Sequence, residues 1–320
     1  MSEIRKIGVA YSIINDARLE KIRGAAPGFE IVCDKWDNTE AFADCEVIFG
    51  NPTKDVVHAA KKLKWLHTQT AGVDLYARPE TGLPSDVMLT NSSGAFGIGI
   101  AEHLMVMALM LIRKMRQYGE CQAQAKWEHL GELQSLYNST VTVVGIGDIG
   151  SNFGQRCNAM GAHVYGVSRS LRSETPSWAN GLYTVENIDE AIKNADIVAL
   201  CMPGTTETAG LFDKKRLAAM KKGAMLLNVG RGTAVDQDAL IDALNSGHVG
   251  GFGTDVTNPE PLPADSPLWH MPNVIITPHT AGGDSLVLIQ DLIADKFARY
   301  LADYAKGLPL KHVINPKIGY

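Results

Sequence analysis

The sequence predicts an α/β protein built from two doubly wound parallel-sheet domains. Three observations predict it. Short apolar runs alternate with amphipathic helical stretches between residues 5 and 90, as in a parallel sheet covered on both faces. The same alternation resumes at Thr140, where Val141-Thr142-Val143-Val144 runs into Gly145-Ile146-Gly147-Asp148-Ile149-Gly150. A long amphipathic stretch, residues 285–305, then follows the last strand candidate, where the second domain's strand plan has no place for it. It is expected to cross back onto the first domain. That makes the first domain discontinuous, residues 1–98 with 284–320, and inserts 99–283 into it.

In chain order, strands are expected at 6–10, 29–33, 47–50, 65–68 and 87–90, with helices at 18–25 and 53–63, a flavodoxin-like layer. Asn91-Ser92-Ser93-Gly94 is a turn cluster that marks the boundary. The segment 91–99 forms one expected hinge strand and the Gly282-Gly283 pair the other. The apolar run 99–112 contains Glu102 and His103 and is too short to span a bilayer, so it reads as a buried helix continuing to Tyr118. Six strands follow, at 140–144, 163–167, 197–201, 224–229, 250–255 and 274–277, with helices at 149–160, 185–193, 214–219 and 237–246. Six strands from two βαβαβ halves make a Rossmann dinucleotide-binding domain.

Within that domain the G-x-G-x-x-G spacing gives each glycine a job. Gly145 makes the tight turn, Gly147 lets backbone approach a pyrophosphate, and Gly150 allows close helix-to-strand packing. Phosphates then meet the helix N-terminus at Asp148 and Ile149. In an NAD site the second strand ends on an acidic residue that binds the ribose hydroxyls. Here that strand ends Ser168-Arg169-Ser170, 18 residues beyond Gly150. Hydroxyls and a guanidinium suit a 2′-phosphate, which a carboxylate would repel. NADP(H) is therefore expected in preference to NAD(H).

Composition excludes other classes. The net charge of -5 and the absence of a Lys/Arg cluster argue against nucleic acid and acidic membrane surfaces. Cys33, Cys45, Cys121, Cys157 and Cys201 are scattered without C-x-x-C spacing, so neither disulfides nor a metal site is expected. The N-terminus lacks signal-peptide features. A cytoplasmic location is expected.

Three strand-end segments carry candidate chemistry: Asn228-Val-Gly-Arg-Gly232, Thr254-Asp-Val-Thr-Asn-Pro-Glu-Pro261 and Thr277-Pro-His-Thr-Ala-Gly282. Reducing a 2-keto acid needs a cation to hold the carboxylate and polarise the carbonyl, and an acid to protonate the developing alkoxide. Arg231 suits the first role and His279 the second. Glu260 suits the distal ring nitrogen of His279, fixing its tautomer and favouring its proton-bearing form.

With these motifs in order, and with Cys201-Met-Pro-Gly-Thr-Thr-Glu-Thr208 between them, the chain resembles the D-isomer-specific 2-hydroxyacid dehydrogenases over nearly its whole length. The resemblance implies a catalytic set of Arg231, Glu260 and His279, with Asp255 near the nicotinamide end. It implies cofactor contacts from Met202, Pro203, Thr208, Val229 and Gly230 besides Arg231 and His279. It also implies substrate-carboxylate binding by backbone N–H groups in Thr70-Ala-Gly-Val-Asp74, which places Gly72 and Val73 in the substrate site. Homodimers joined through the nucleotide domains are usual in the family, consistent with the apolar helix at 99–112 needing cover. Ser168-Arg169-Ser170 departs from the acidic pattern of many members and resembles the NADPH-using glyoxylate and hydroxypyruvate reductases. The sequence ends soon after the closing helix, so the regulatory domain of many phosphoglycerate dehydrogenases is not expected.

The expected activity is reduction of a small 2-keto acid to the D-2-hydroxy acid with NADPH. The alternative is an NADP(H)-sensing, catalytically silent binding protein of corepressor type.

Overall fold

The computed structural model describes residues 4–10, 14–73, 75–76, 83–170, 172–283 and 286–314. Asp74, Leu171, Ser285 and the tail beyond Ile314 lie outside these. The chain divides into two compact units, residues 1–96 with 284–320, and residues 97–283.

The first unit carries strands Arg5–Ala10 (β1), Phe29–Cys33 (β2), Val47–Gly50 (β3), Trp65–Thr68 (β4) and Met88–Asn91 (β5), with helices Asp16–Ala25 (α1), Thr39–Phe42 (α2) and Lys54–Ala59 (α3). The all-parallel order β2-β1-β3-β4-β5 is the flavodoxin-like 2-1-3-4-5. Both faces are covered, which is why β3 is apolar at every position. Ile48 joins the cluster of Phe42, Val56 and Leu66, while Phe49 stacks on Phe297 with centroids 4.2 Å apart.

The second unit begins with helices Gly97–Ile112 (α4) and Met115–Ala123 (α5). One continuous helix to Tyr118 was the sequence expectation; Lys114, at φ 53°, interrupts it. After the break Arg116 donates to the carbonyls of Met271 at 2.6 Å and Trp269 at 3.1 Å. The unit continues Thr140–Val144 (β6), Asp148–Ala159 (α6), His163–Ser168 (β7), Gly181–Thr184 (β8), Ile188–Ile192 (α7), Ile197–Leu200 (β9), Lys214–Ala219 (α8), Ala224–Asn228 (β10), Gln237–Asn245 (α9), Val249–Thr254 (β11) and Val274–Ile276 (β12). Its order, β12-β11-β10-β9-β6-β7-β8, is the doubly wound 3-2-1-4-5-6, in which β8 is the third strand of the first half, with β12 added as a seventh at the far edge. The sheet therefore has seven strands where six were expected. The unexpected one is β8, an edge strand whose four residues are all half-buried and which offers no apolar run. Helix α4 is covered inside its own unit: Leu104, Met107, Ala108 and Leu111 join the core of Phe153, Val143 and Leu227. Val106 on the same helix is 54% exposed.

A last helix, Val287–Ala305 (α10), returns to the first unit. It packs along α1, with Arg18 paired to Asp291 at 2.8 Å, and sets Phe297 among Phe49, Trp65 and His67. Among the described residues no helix is long and apolar enough to cross a membrane.

At the amino edge of this sheet, Glu46 accepts two bonds from Arg5, at 2.8 and 3.0 Å, and one from the Tyr304 hydroxyl at 2.7 Å. The Arg5 hydrogen bonds hold its carboxyl down at about 2. Because that lies below the ordinary value of about 4.3, the stabilisation is complete at neutral pH and lost as pH falls towards 2. Glu46→Gln is expected to lower Tm at pH 7, with the gap to wild type closing between roughly pH 4 and pH 2. Thermal melts across that range check it; a gap undiminished at the acid end would contradict it.

Candidate active site

The turn after β6 uses its three glycines differently. Gly145 has φ 93°, and a Cβ there would lie 2.7 Å from the Met202 nitrogen; at Gly150 it would lie 2.1 Å from the Gly145 oxygen. Neither position admits a side chain, so α6 packs directly on the turn. Gly147 is the N-cap of α6 and makes no side-chain cap bond, and a Cβ there would meet nothing within 4 Å. Open space over a helix N-terminus with unpaired N–H groups is what a pyrophosphate requires. The Asp148 carboxylate is committed elsewhere, accepting from the Gly97 N–H at 2.7 Å and so capping α4. Asp148 and Ile149 therefore present backbone to the cradle.

At the end of β7, the Ser168 hydroxyl donates to the Ser170 carbonyl at 2.7 Å, and Arg169 and Ser170 are exposed. Sequence reasoning left out Arg172, which donates from Nη2 to the Ile146 carbonyl inside the glycine turn at 2.6 Å. A second arginine three residues past Arg169 was the available signal. These groups fit a dinucleotide: backbone donors for the pyrophosphate, then hydroxyls and guanidinium at the ribose end.

Met202, after β9, lies against both Gly145 and Gly230, where a Cβ at Gly230 would lie 2.5 Å from its carbonyl oxygen. Thr208 closes the loop behind it, accepting from the Thr205 N–H and donating to the Pro203 carbonyl, each at 2.8 Å. Val229 is buried.

The ends of β10, β11 and β12 lie side by side, Asn228 beside Thr254 and Thr254 beside Ile276. Their loops are fastened to one another. A Cβ at Gly232 would lie 2.0 Å from the Thr257 carbonyl carbon, so the Arg231 loop presses on the Glu260 loop. Asn228 shapes the Arg231 turn, donating to the Arg231 carbonyl and accepting from the Gly230 N–H, both at 3.0 Å. The Arg231 stem lies over Gly204, and its Nη1 donates to the Gly230 carbonyl at 2.8 Å. Asp255 is buried and accepts from the Thr277 hydroxyl at 2.5 Å and from the N–H groups of Thr280 and Ala281 at 2.9 and 3.0 Å. His279, between them, has φ 53° and donates its own N–H to the Asp255 carbonyl at 2.8 Å. Its Nδ1 meets Glu260 Oε2 at 3.0 Å, while Glu260 Oε1 accepts from the Thr257 N–H at 3.0 Å. With Nδ1 engaged by the carboxylate, Nε2 is left to exchange a proton.

Gly72 and Val73 lie in the first unit, Arg231, Glu260 and His279 in the second. After β4 the loop carbonyls are occupied from behind. Thr68 accepts from the Ser92 hydroxyl at 2.8 Å, Thr70 from the Ser92 N–H at 3.1 Å, Ala71 from Asn91 Nδ2 at 2.6 Å and Gly72 from the Thr70 hydroxyl at 2.8 Å. The N–H groups of Ala71, Gly72 and Val73 donate to no described residue. Successive backbone donors left in this way are one requirement of an anion-binding nest.

The fold and the glycine turn define a dinucleotide-binding class of α/β protein. The model of the NAD-binding domain of D-isomer specific 2-hydroxyacid dehydrogenases matches residues 105–281. D-3-phosphoglycerate dehydrogenase of Archaeoglobus fulgidus is 30% identical over 98% of this chain and 56% of its own length. A D-isomer specific 2-hydroxyacid dehydrogenase family protein from Aeromonas salmonicida subsp. salmonicida superposes with TM-score 0.86 at 30% identity, covering 98% of this chain and all of its own. An NADPH-dependent glyoxylate/hydroxypyruvate reductase from Sinorhizobium meliloti, in complex with NADP and sulfate, superposes with TM-score 0.82 at 26% identity, covering 99% of this chain and all of its own. The matches to formate and phosphoglycerate dehydrogenases span 47–65% of the length of those proteins. The chain belongs to the D-isomer specific 2-hydroxyacid dehydrogenase family.

Proposed function

We propose that this protein reduces a small 2-keto acid, of the glyoxylate or hydroxypyruvate kind, to the D-2-hydroxy acid with NADPH. The observation that carries the reading is the Glu260–His279 pair at 3.0 Å, held on the same sheet edge as Arg231. When bound, the nicotinamide supplies a hydride to the keto carbon. Arg231 draws electron density towards the keto oxygen, and His279 gives that oxygen its Nε2 proton. Glu260 holds Nδ1–H, which fixes the ring's tautomer and orientation so that Nε2 is the nitrogen that gives the proton. Gly72 and Val73 bind the substrate carboxylate through their amides. Both Arg231→Ala and His279→Ala are expected to lower kcat/KM by at least about a hundredfold, the lower end of acid–base contributions, with the Kd for NADPH little changed. Stopped-flow reduction of a 2-keto acid panel checks this. NADPH binding without turnover by the wild type would favour the silent, corepressor-type alternative.

The NADP preference in this reading is supported by Ser168, Arg169, Ser170 and Arg172 and by the lack of a carboxylate at the end of β7. The double variant Ser168→Asp, Arg169→Ala is expected to raise the NADH to NADPH ratio of kcat/KM by about tenfold or more, as loss of one charge-assisted contact implies. Unchanged discrimination in parallel assays with the two cofactors would count against the preference.

A homodimer joined through the second unit is part of the proposal. It is supported by apolar side chains left uncovered there: Trp127 fully exposed, with Val106 at 54% and Tyr137 at 67%. Light scattering of the wild type is expected to give twice the chain mass, and Trp127→Asp with Val106→Asp to shift it towards the monomer. A monomeric wild type at micromolar concentration would remove this part of the reading.

A further inference from the structure

Between β4 and β5 runs a buried polar chain that the proposed reaction does not use. His67 is fully buried among the rings of Phe49, Trp65, Phe297 and Tyr300, at centroid distances of 5.8, 6.0, 5.4 and 5.7 Å. Its Nδ1 lies 2.6 Å from Thr90 Oγ1 and its Nε2 3.2 Å from Ser92 Oγ. The proton positions follow by elimination. Trp65 Nε1 can only donate, and it donates to Thr90 Oγ1 at 2.8 Å. Ser92 gives its one hydroxyl proton to the Thr68 carbonyl at 2.8 Å. Ser92 Oγ must then accept from His67, so Nε2 carries the ring proton and Nδ1 accepts from the Thr90 hydroxyl. Burial, and after it the Lys296 ammonium, holds the imidazole pKa down at about 3, so the ring stays neutral.

The chain ends on the loop that presents Gly72 and Val73. Ser92 holds that loop twice, through its hydroxyl to the Thr68 carbonyl and through its N–H to the Thr70 carbonyl. Stability alone does not call for an imidazole here. Replacing both partners of a buried hydrogen bond by apolar groups of similar shape is close to neutral, and an aromatic box would accept a leucine. What a leucine lacks is a donor aimed at Ser92.

We propose that His67 is a positioning residue for the substrate carboxylate: through Ser92 it orients the 68–73 loop so that the Gly72 and Val73 amides point at that group. The inference rests on the reading of Gly72 and Val73 as the carboxylate site. Its test uses His67→Leu, His67→Gln and Ser92→Ala, with KM and kcat for glyoxylate at saturating NADPH, the Kd for NADPH, and Tm. His67→Leu and Ser92→Ala are expected to raise KM about tenfold, the factor that 1.4 kcal/mol represents, with the NADPH Kd unchanged. In His67→Gln the side-chain amide reaches Ser92 in place of Nε2–H, and KM is expected to stay within about threefold of wild type, under 1 kcal/mol. Loss of Tm with KM unchanged, or a glutamine variant as impaired as the leucine one, would overturn the proposal. If His67→Leu does not fold, His67→Met, of similar volume and without a donor for Ser92, takes its place. Should the wild type reduce no 2-keto acid, the functional reading fails separately. Calorimetric binding of oxalate then tests the loop, and equal affinity in wild type and Ser92→Ala would overturn the inference.

Discussion

The buried carboxylate of Asp255 is the constraint on which the arrangement of the strand-end loops depends. Its oxygens are filled by the Thr277 hydroxyl and the N–H groups of Thr280 and Ala281, and its backbone bridges β10 and the His279 turn, donating to the Asn228 carbonyl at 3.0 Å and accepting from the His279 N–H. Taking a carboxylate out of water costs several kcal/mol, and hydrogen bonds to a charged group return about 1.5–3 kcal/mol each. Three such bonds roughly offset the burial. What they leave is geometry: residues 277–281 are held to Asp255 at four points, three on its side chain and one on its carbonyl, and His279 is held in a left-handed conformation that a β-carbon disfavours and that a loose loop would abandon. Nearby His103 adds a bond from Nε2 to the Thr277 hydroxyl at 2.9 Å, which ties α4 to the same clamp.

How much of this was legible in the sequence follows from what each residue's environment writes into it. Strands buried on both faces, such as β3 and β6, are apolar or β-branched at nearly every position and are readable to within a residue. β8 pairs only with β7 and carries no such pressure, so Gly181-Leu-Tyr-Thr184 gives no strand signal. The break at Lys114 is a single backbone rotation between two helix-competent stretches, invisible to periodicity. Side-chain assignments divide in the same way. Gly145 and Gly150 are legible because backbone contacts of 2.7 and 2.1 Å exclude any Cβ. Asp148 was expected at the nucleotide because it follows Gly147; that its carboxylate caps α4, 51 residues upstream, is a tertiary fact with no local signature. Nor did His67 stand out, since a histidine inside an apolar strand looks alike whether it packs or aims a proton.

Burial also separates two acid pairs that look similar on paper. Glu46 is 11% exposed at its side chain and takes three hydrogen bonds from Arg5 and Tyr304; removing a partner would strand a charge away from water. Glu260 and His279 are 40% and 51% exposed, and an ion pair so open to solvent contributes about 0–1 kcal/mol. The second pair cannot be explained by stability. Yet Glu260 is not a free surface side chain: the Thr257 N–H fixes one oxygen, and Gly232 presses the Thr257 backbone into place where no larger residue would fit. Fixing a carboxylate costs conformational entropy, and an exposed pair returns little of it as stability. The return is directional. One oxygen anchored to the backbone leaves the other to hold Nδ1, so the ring's orientation is fixed while the side chain stays half open to solvent, the arrangement that the proposed proton transfer from Nε2 requires.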